Sequence, residues 1–336
     1  MAGKSGRSIS NTVENSWKKT ILSWEGILVI LFIAINILCA IISPVYNLTN
    51  VLRESPKYLA EMLLLFPMAY LLILGEIDIS VGSIVCLAAT VSVMVSNAGA
   101  PFIVTFLVGL LVGTACGAFN GIVTVKFREL PTMIITLGTQ IVFRGIAEIA
   151  LGSGGSISVT DTASFKMLNG KLGIFPYSFF LIIIAAIIFA VVADKMNYGR
   201  KLYAIGSNAK TSFYSGIKVK QTIFIAYTIM GLFSGLAALF ITSTAYGANT
   251  TTGKGFEMDA IAMAVFGGVA STGGKGRIHG AFISAFTIMC LRIGLGQKNV
   301  NSQVILIILG ALLICAVLLP NVAASLGLKK KKAEAK

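Results

Sequence analysis

The chain has 336 residues, 56% hydrophobic and 12% charged, with 27 Lys and Arg against 13 Asp and Glu for a formal net charge of +14. Soluble domains average near 45–50% apolar and about 25% charged, so a mean hydropathy of +0.88 excludes a soluble enzyme, a disulfide-stapled secreted domain and a disordered tail protein. The apolar runs are continuous instead of alternating, which selects a polytopic bundle of membrane helices over a β-barrel.

In chain order, Met1 to Thr20 is polar and lacks the short basic start and small-residue cleavage site of a signal peptide. It is expected to be a cytoplasmic tail, with the first apolar helix retained in the mature protein. Ten hydrophobic segments follow, at roughly 24–43, 58–75, 79–97, 101–123, 131–151, 177–194, 222–246, 256–270, 279–296 and 302–321. They predict an all-α fold of about ten transmembrane helices. The domain reading is a tail over 1–20, a transmembrane unit over 21–321 and a basic cytoplasmic tail over 322–336. Pro67 is the one proline inside a segment, where a kink is expected. Gly109, Gly113, Gly117 and Gly121 recur every four residues on the fourth segment and offer one smooth face to a neighbouring helix. The eighth segment is short and ends in glycine, so it is predicted to be re-entrant or half-spanning.

Charge sets the orientation. With both termini inside, nineteen of the 27 basic residues fall on inner segments, six on outer loops, and Arg144 and Arg292 within spans. The excess of positive charge therefore reads as topology, with no nucleic-acid partner. The longest inner loop, 195–221, carries six basic residues. Within it Asn208 to Gly216 reads as a two-turn surface helix capped at Asn208 and stopped at Gly216. It is either a lipid-facing basic loop or a docking element for a soluble partner.

No catalytic set is visible. All five cysteines lie in apolar runs without a CxxC pair and read as small buried hydrophobes. His279 sits in a glycine-rich turn and reads as a surface or capping residue. The nearest approach to a phosphate-binding loop, Gly206 to Thr211, has Ala209 where the second glycine belongs, so ATP is not expected to bind there. No cofactor or metal is expected. Four charged residues lie within segments: Glu61, Arg144, Glu148 and Arg292. Arg144 and Glu148, four apart, are predicted to neutralise each other, and Arg292 is predicted to find an acid on another helix. Two acid-apolar-acid triplets, Glu76-Ile77-Asp78 and Glu257-Met258-Asp259, sit at segment edges beside glycines. They fit either duplicated halves or coincidence. Asp78 and Ser80 are good N-cap residues, and Gly82 permits close packing of the helix that follows.

Four blocks in order carry a family resemblance. Gly75-Glu76-Ile77-Asp78-Ile79-Ser80-Val81-Gly82-Ser83 resembles the Gly-Gly-Ile-Asp-Leu-Ser-Val-Gly-Ser signature of bacterial ABC-transporter sugar permeases, in the ribose-type branch of the ribose/branched-chain amino acid permease family. Pro131 to Gly138 resembles that family's Pro-Phe-Ile-x-Thr-Leu-Gly block. Tyr203 to Asn208, ending in Ser215-Gly216-Ile217, resembles its main cytoplasmic loop, and Phe256 to Ala262 with Gly267-Gly268 and Gly273-Gly274-Lys275-Gly276 its C-terminal signature. The chain departs from the family in having Glu76 for the usual second glycine, and Ala209-Lys210-Thr211-Ser212 where Pro-Glu-Ala-Ala is usual.

The resemblance implies a permease subunit in the bacterial inner membrane. It works with a second permease chain, two cytoplasmic ATPase subunits and an extracytoplasmic sugar-binding protein, all in membrane lipid. It places Gly206, Asn208, Ser215 and Gly216 on the coupling loop. Glu76, Asp78, Ser80 and Gly82 fall in the first signature, and Glu257, Asp259, Gly273, Gly274 and Gly276 in the last. The implied cargo is a monosaccharide of the pentose or deoxyhexose class; a sugar-like signalling molecule, a branched-chain amino acid, or an ATPase-independent secondary transporter are the alternatives. Sugar hydroxyls need Ser, Thr, Asn or Gln partners, which makes Asn120, Thr136, Thr139 and Gln140 the path-facing candidates.

Overall fold

The computed structural model describes residues 23–314, so the two predicted tails and Cys315 lie outside the described residues. The helices are α1 (Trp24–Ile42), α2 (Leu48–Glu54), α3 (Pro56–Leu74), α4 (Val81–Asn97), α5 (Phe102–Lys126), α6 (Thr132–Leu151), α7 (Thr162–Lys166), α8 (Tyr177–Lys195), α9 (Asn197–Ser207), α10 (Ala209–Tyr214), α11 (Val219–Ala245), α12 (Phe256–Phe266), α13 (Ile278–Gln297) and α14 (Ser302–Ile314). Among the described residues, α1, α3, α5, α6, α8, α11 and α13 are long and apolar enough to cross a membrane. The protein is an all-α polytopic membrane protein, and nine of the predicted hydrophobic segments coincide with helices, while α14 covers the described part of the tenth, 302–314.

Local chemistry sets several helix ends. The Ser23 hydroxyl accepts from the Gly26 amide at 3.2 Å to start α1. Pro56 opens α3, where its missing N–H costs nothing, and Gly75 closes it in the left-handed region at φ 79°. The helix continues across Pro67 without interruption. It forms the centre of the bundle: every residue from Met62 to Leu74 is buried. The predicted glycine face of α5 meets α11, which brings glycines of its own. A Cβ on Gly113 would stand 2.5 Å from the Gly231 carbonyl oxygen and 2.6 Å from the Gly235 nitrogen, and one on Gly117 2.6 Å from the Gly231 α-carbon. The two backbones interdigitate along small residues, the arrangement that van der Waals packing favours where lipid supplies no hydrophobic drive between helices.

Two parts of the chain are more structured than the sequence suggests. The inner loop holds two helices, α9 and α10, where one short helix is predicted. The longest outer loop supplies three of the strands of two small antiparallel sheets, and the loop after α11 supplies the fourth. Ser156–Ser158 (β1) pairs with Gly247–Asn249 (β4), and Lys171–Leu172 (β2) with Phe175–Pro176 (β3). Strands of two or three residues carry too little alternation to register as a pattern.

Candidate functional site

Two interrupted helices meet inside the bundle. At about 1.5 Å per residue, the 11 residues of α12 reach about 16 Å, half of the ~30 Å hydrocarbon thickness. The segment is therefore as short as predicted. Its first turn lies against the first turn of α4: a Cβ on Gly82 would overlap both the Gly253 carbonyl oxygen and the Glu257 carboxylate. Glu257 is 7% exposed, and its Oε2 has no hydrogen-bond partner. Gly82 is thus required by close approach, and the two signature blocks form one contact.

Between α3 and α4, residues 75–80 run non-helical through the interior, with Glu76, Asp78 and Ser80 all buried. Buried polar backbone and side chains need internal partners, and neighbouring helices supply them. Asp78 Oδ1 accepts from the Ser80 amide at 2.9 Å and from the Ser80 hydroxyl at 2.6 Å. Asn120 Nδ2 on α5 donates to Ser80 Oγ at 2.7 Å and to Asp78 Oδ2 at 3.4 Å. The Ile77 carbonyl accepts from Thr136 at 3.4 Å and Tyr227 at 3.5 Å. Ser80 occupies the N-cap position of α4 but makes no side-chain cap bond, because its hydroxyl is turned to Asp78. Glu76, whose side chain is 5% exposed, is ion-paired with Arg128 beyond the end of α5. Glu76 therefore comes with a cation of its own. The sequence reading counts Arg128 only as a loop charge, and no spacing links two residues 52 apart.

Of the four path-facing candidates, Asn120, Thr136 and Thr139 are buried and hydrogen-bonded, Thr139 to the Thr136 carbonyl at 3.2 Å. Gln140 is half-buried on the next face of α6.

A second cluster lies at the end of the bundle that carries α9 and α10, here termed the basic end. Gly206 on α9, Gly75 after α3 and the turn Gly273-Gly274 converge there. The Gly274 amide donates to the Ile73 carbonyl at 2.8 Å, and the Tyr203 hydroxyl to the Gly276 carbonyl at 2.9 Å. Burial raises the Tyr203 phenol above its ordinary pKa and keeps it a donor. Beyond it α10 is capped by Asn208, whose Oδ1 accepts from the Thr211 amide at 2.9 Å. Gly216 follows at φ 80°. Both cap and stop are as predicted. Phe213 and Tyr214, which the sequence reading passes over, are 65% and 86% exposed on this helix.

A third cluster braces three helices. Arg292 on α13 pairs with Glu61 on α3 at 2.7 Å and with Asp259 on α12. The predicted acid on another helix is two acids on two helices. Arg144 does not pair with Glu148. Its guanidinium donates to the carbonyls of Thr250 at 3.3 Å and Thr252 at 2.8 Å, since the loop before α12 descends beside α6 and offers unpartnered backbone oxygens. His279 is exposed as predicted, 3.9 Å from Asp194. The described cysteines are buried and free.

An apolar bundle with interrupted helices and a polar cluster at the break defines a membrane permease, since non-helical backbone at membrane depth survives only where protein or a cavity satisfies it. The chain belongs to the family described as branched-chain amino acid transport system / permease component, whose model matches residues 48–317. It is 35% identical to the D-allose transport system permease protein AlsC of Escherichia coli K12 over 307 residues, covering 89% of this chain and 92% of that protein. It is 33% identical to the ribose import permease protein RbsC of Bacillus subtilis over 87% of this chain and 90% of that protein. Against the autoinducer 2 import system permease protein LsrD of Klebsiella pneumoniae the identity is 29%, over 88% and 91%. No solved structure matches the chain significantly.

Proposed function

We propose that the chain is the membrane-spanning permease subunit of an ATP-driven importer that carries a monosaccharide of the pentose or deoxyhexose class into the bacterial cell. The observation that carries the monosaccharide reading is the near full-length alignment with permeases named for ribose, a pentose, and D-allose, a hexose. In the full assembly the chain crosses the membrane about ten times with both termini inside. A second permease chain completes the transmembrane unit, two soluble ATPases supply the energy, and an extracytoplasmic binding protein delivers the sugar. The basic end faces the cytoplasm, and α9–α10 is the docking element. The exposed Phe213 and Tyr214, beside Lys210 and Lys218, support that assignment. Asn120, Thr136, Thr139 and Gln140 border the path. Asn120 and Thr136 hold the 76–80 segment, and Gln140 is the most accessible to a sugar hydroxyl.

The match to an autoinducer 2 import permease favours one second reading, a sugar-like signalling molecule as cargo. The test is reconstitution in liposomes with the co-purified ATPase and binding protein, measuring uptake of labelled pentoses, hexoses and autoinducer 2. ATP-dependent uptake of a pentose or deoxyhexose is the expected result. Uptake by this chain alone on an ion gradient would sink the importer reading, and uptake confined to autoinducer 2 would replace the cargo.

A further inference from the structure

Gly206 belongs to the docking loop by sequence, yet its surroundings are internal. A Cβ there would overlap the Ile73 carbonyl oxygen and stand 2.5 Å from the Gly274 nitrogen. The contact is reciprocal. A Cβ on Gly273 would lie 2.9 Å from the Gly206 carbonyl and 3.1 Å from the Gly75 α-carbon, and one on Gly274 2.6 Å from Ser207 Oγ. Three backbones therefore touch with no side chain between them: the end of α9, the end of α3, and the turn after α12. The Gly274–Ile73 hydrogen bond ties the second to the third at 2.8 Å, and the Tyr203–Gly276 bond ties the first to the third at 2.9 Å.

We infer that Gly206 and Gly274, closed on the Ile73 carbonyl, form the joint that carries movement of α9–α10 into the buried 76–80 segment, and that these glycines act there as positioning residues rather than as contacts to the docked ATPase. This rests on the importer reading above. The physical reason is stiffness. A contact through long side chains absorbs displacement by rotamer changes, whereas packed backbones transmit it as a unit. Ile73 lies two residues before Gly75, where the non-helical run begins. That run is in turn fixed by Tyr227, Thr136 and Asn120 on three further helices. A shift of α9 thus reaches the interrupted helices through backbone, within one short stretch of chain. Asn208, Phe213 and Tyr214, two to eight residues further on, are left to meet the partner.

Two measurements test the joint. On the purified chain without partners, Gly206→Ala inserts a methyl group where none fits. Hydrogen exchange is expected to rise about tenfold at the amides of 75–80 and 273–276 as well as on α9, in line with a coupling free energy of ordinary size. An increase confined to α9 overturns the joint. In reconstituted vesicles, Gly206→Ala is expected to keep its co-purifying ATPase while sugar moved per ATP hydrolysed falls about tenfold. Asn208→Ala is expected to do the reverse, losing ATPase while the 75–80 amides stay protected. Wild-type transport stoichiometry in Gly206→Ala overturns the proposal. Should that variant fail to insert, Tyr203→Phe removes the Gly276 bond without adding bulk, and both measurements should move in the same direction by a smaller factor. The exchange experiment uses no ATPase, so its failure sinks the joint alone. ATP-independent uptake by the wild-type chain would instead sink the importer reading.

Discussion

Replacing Arg292 by leucine should destabilise the bundle more than any other single change at a charged residue. Its side chain is 11% exposed and serves two carboxylates, Glu61 at 13% and Asp259 at 25% exposure. A close ion pair is worth about 4 kcal/mol at an effective dielectric of 20, and most of that is offset by desolvation. Removing one partner is different, because it strands the other. Breaking a buried pair costs about 3–5 kcal/mol, and here two acids on neighbouring helices are left facing each other. Arg292→Leu should therefore lose about 3–5 kcal/mol. The triple variant with Glu61→Gln and Asp259→Asn should recover most of that loss, because no charge remains uncompensated. Glu61→Gln alone should cost about 1 kcal/mol, since the guanidinium keeps Asp259. The assay is equilibrium unfolding in mixed micelles followed by tryptophan fluorescence. Trp24 donates to the Phe266 carbonyl at 3.2 Å and so reports on the packing of α1 against α12. An Arg292→Leu chain within 1 kcal/mol of wild type, or a triple variant no better than the single one, would refute the argument.

Three further outcomes are expected. Gly113→Val drives a branched side chain into the α11 backbone, 2.5 Å from the Gly231 carbonyl at its first carbon. It should cost about 3 kcal/mol, visible as loss of monodisperse protein, while Gly145→Ala, with open space around its α-carbon and an ordinary helical backbone, serves as a tolerated comparison for bulk. Arg128→Gln leaves the Glu76 carboxylate, 5% exposed, without its cation, itself 38% exposed; thermal unfolding should fall by an amount equivalent to about 1–3 kcal/mol, and the double change with Glu76→Gly should restore it. Asn208→Ala removes the α10 cap and about 1 kcal/mol of local helix stability, measured as faster exchange of the Thr211 amide.

Much of the fold was legible because membrane helices announce themselves by length and apolarity, and among the described residues each predicted segment lies on a helix. The short α12 was readable for the same reason, as was the need for an acid opposite Arg292. What the chain could not reveal is which distant groups meet. Glu76 and Arg128, Tyr203 and Gly276, and Gly206 and Ile73 are joined by the packing of helices, and no periodicity encodes such pairs. The Arg144 expectation failed for a related reason. Spacing four on a helix makes a salt bridge available, but a loop with bare carbonyls descended on the same side and won. Glycine was the informative residue throughout. The four on α5 marked one half of an interface, and the unremarked Gly231 and Gly235 on α11 are the other half.

The two interruptions also explain why so apolar a chain spends its few polar side chains where it does. A helix satisfies its own backbone, so a transmembrane helix needs no polar neighbours. The non-helical stretch inside the bundle does need them, because each unpaired group there costs as much as a lost hydrogen bond. Asn120, Thr136 and Tyr227 come from three different helices, and all three bond to residues 77–80. Their first duty is to hold the break. The break in turn brings the first turns of α4 and α12 together, with the Glu257 carboxylate against the glycine of the first signature. Such a centre is costly to build and would be removed by a single continuous helix from α3 into α4. Its presence in a chain otherwise made of ordinary spans is the physical argument that transport, and not mere anchoring, is built into this part of the molecule.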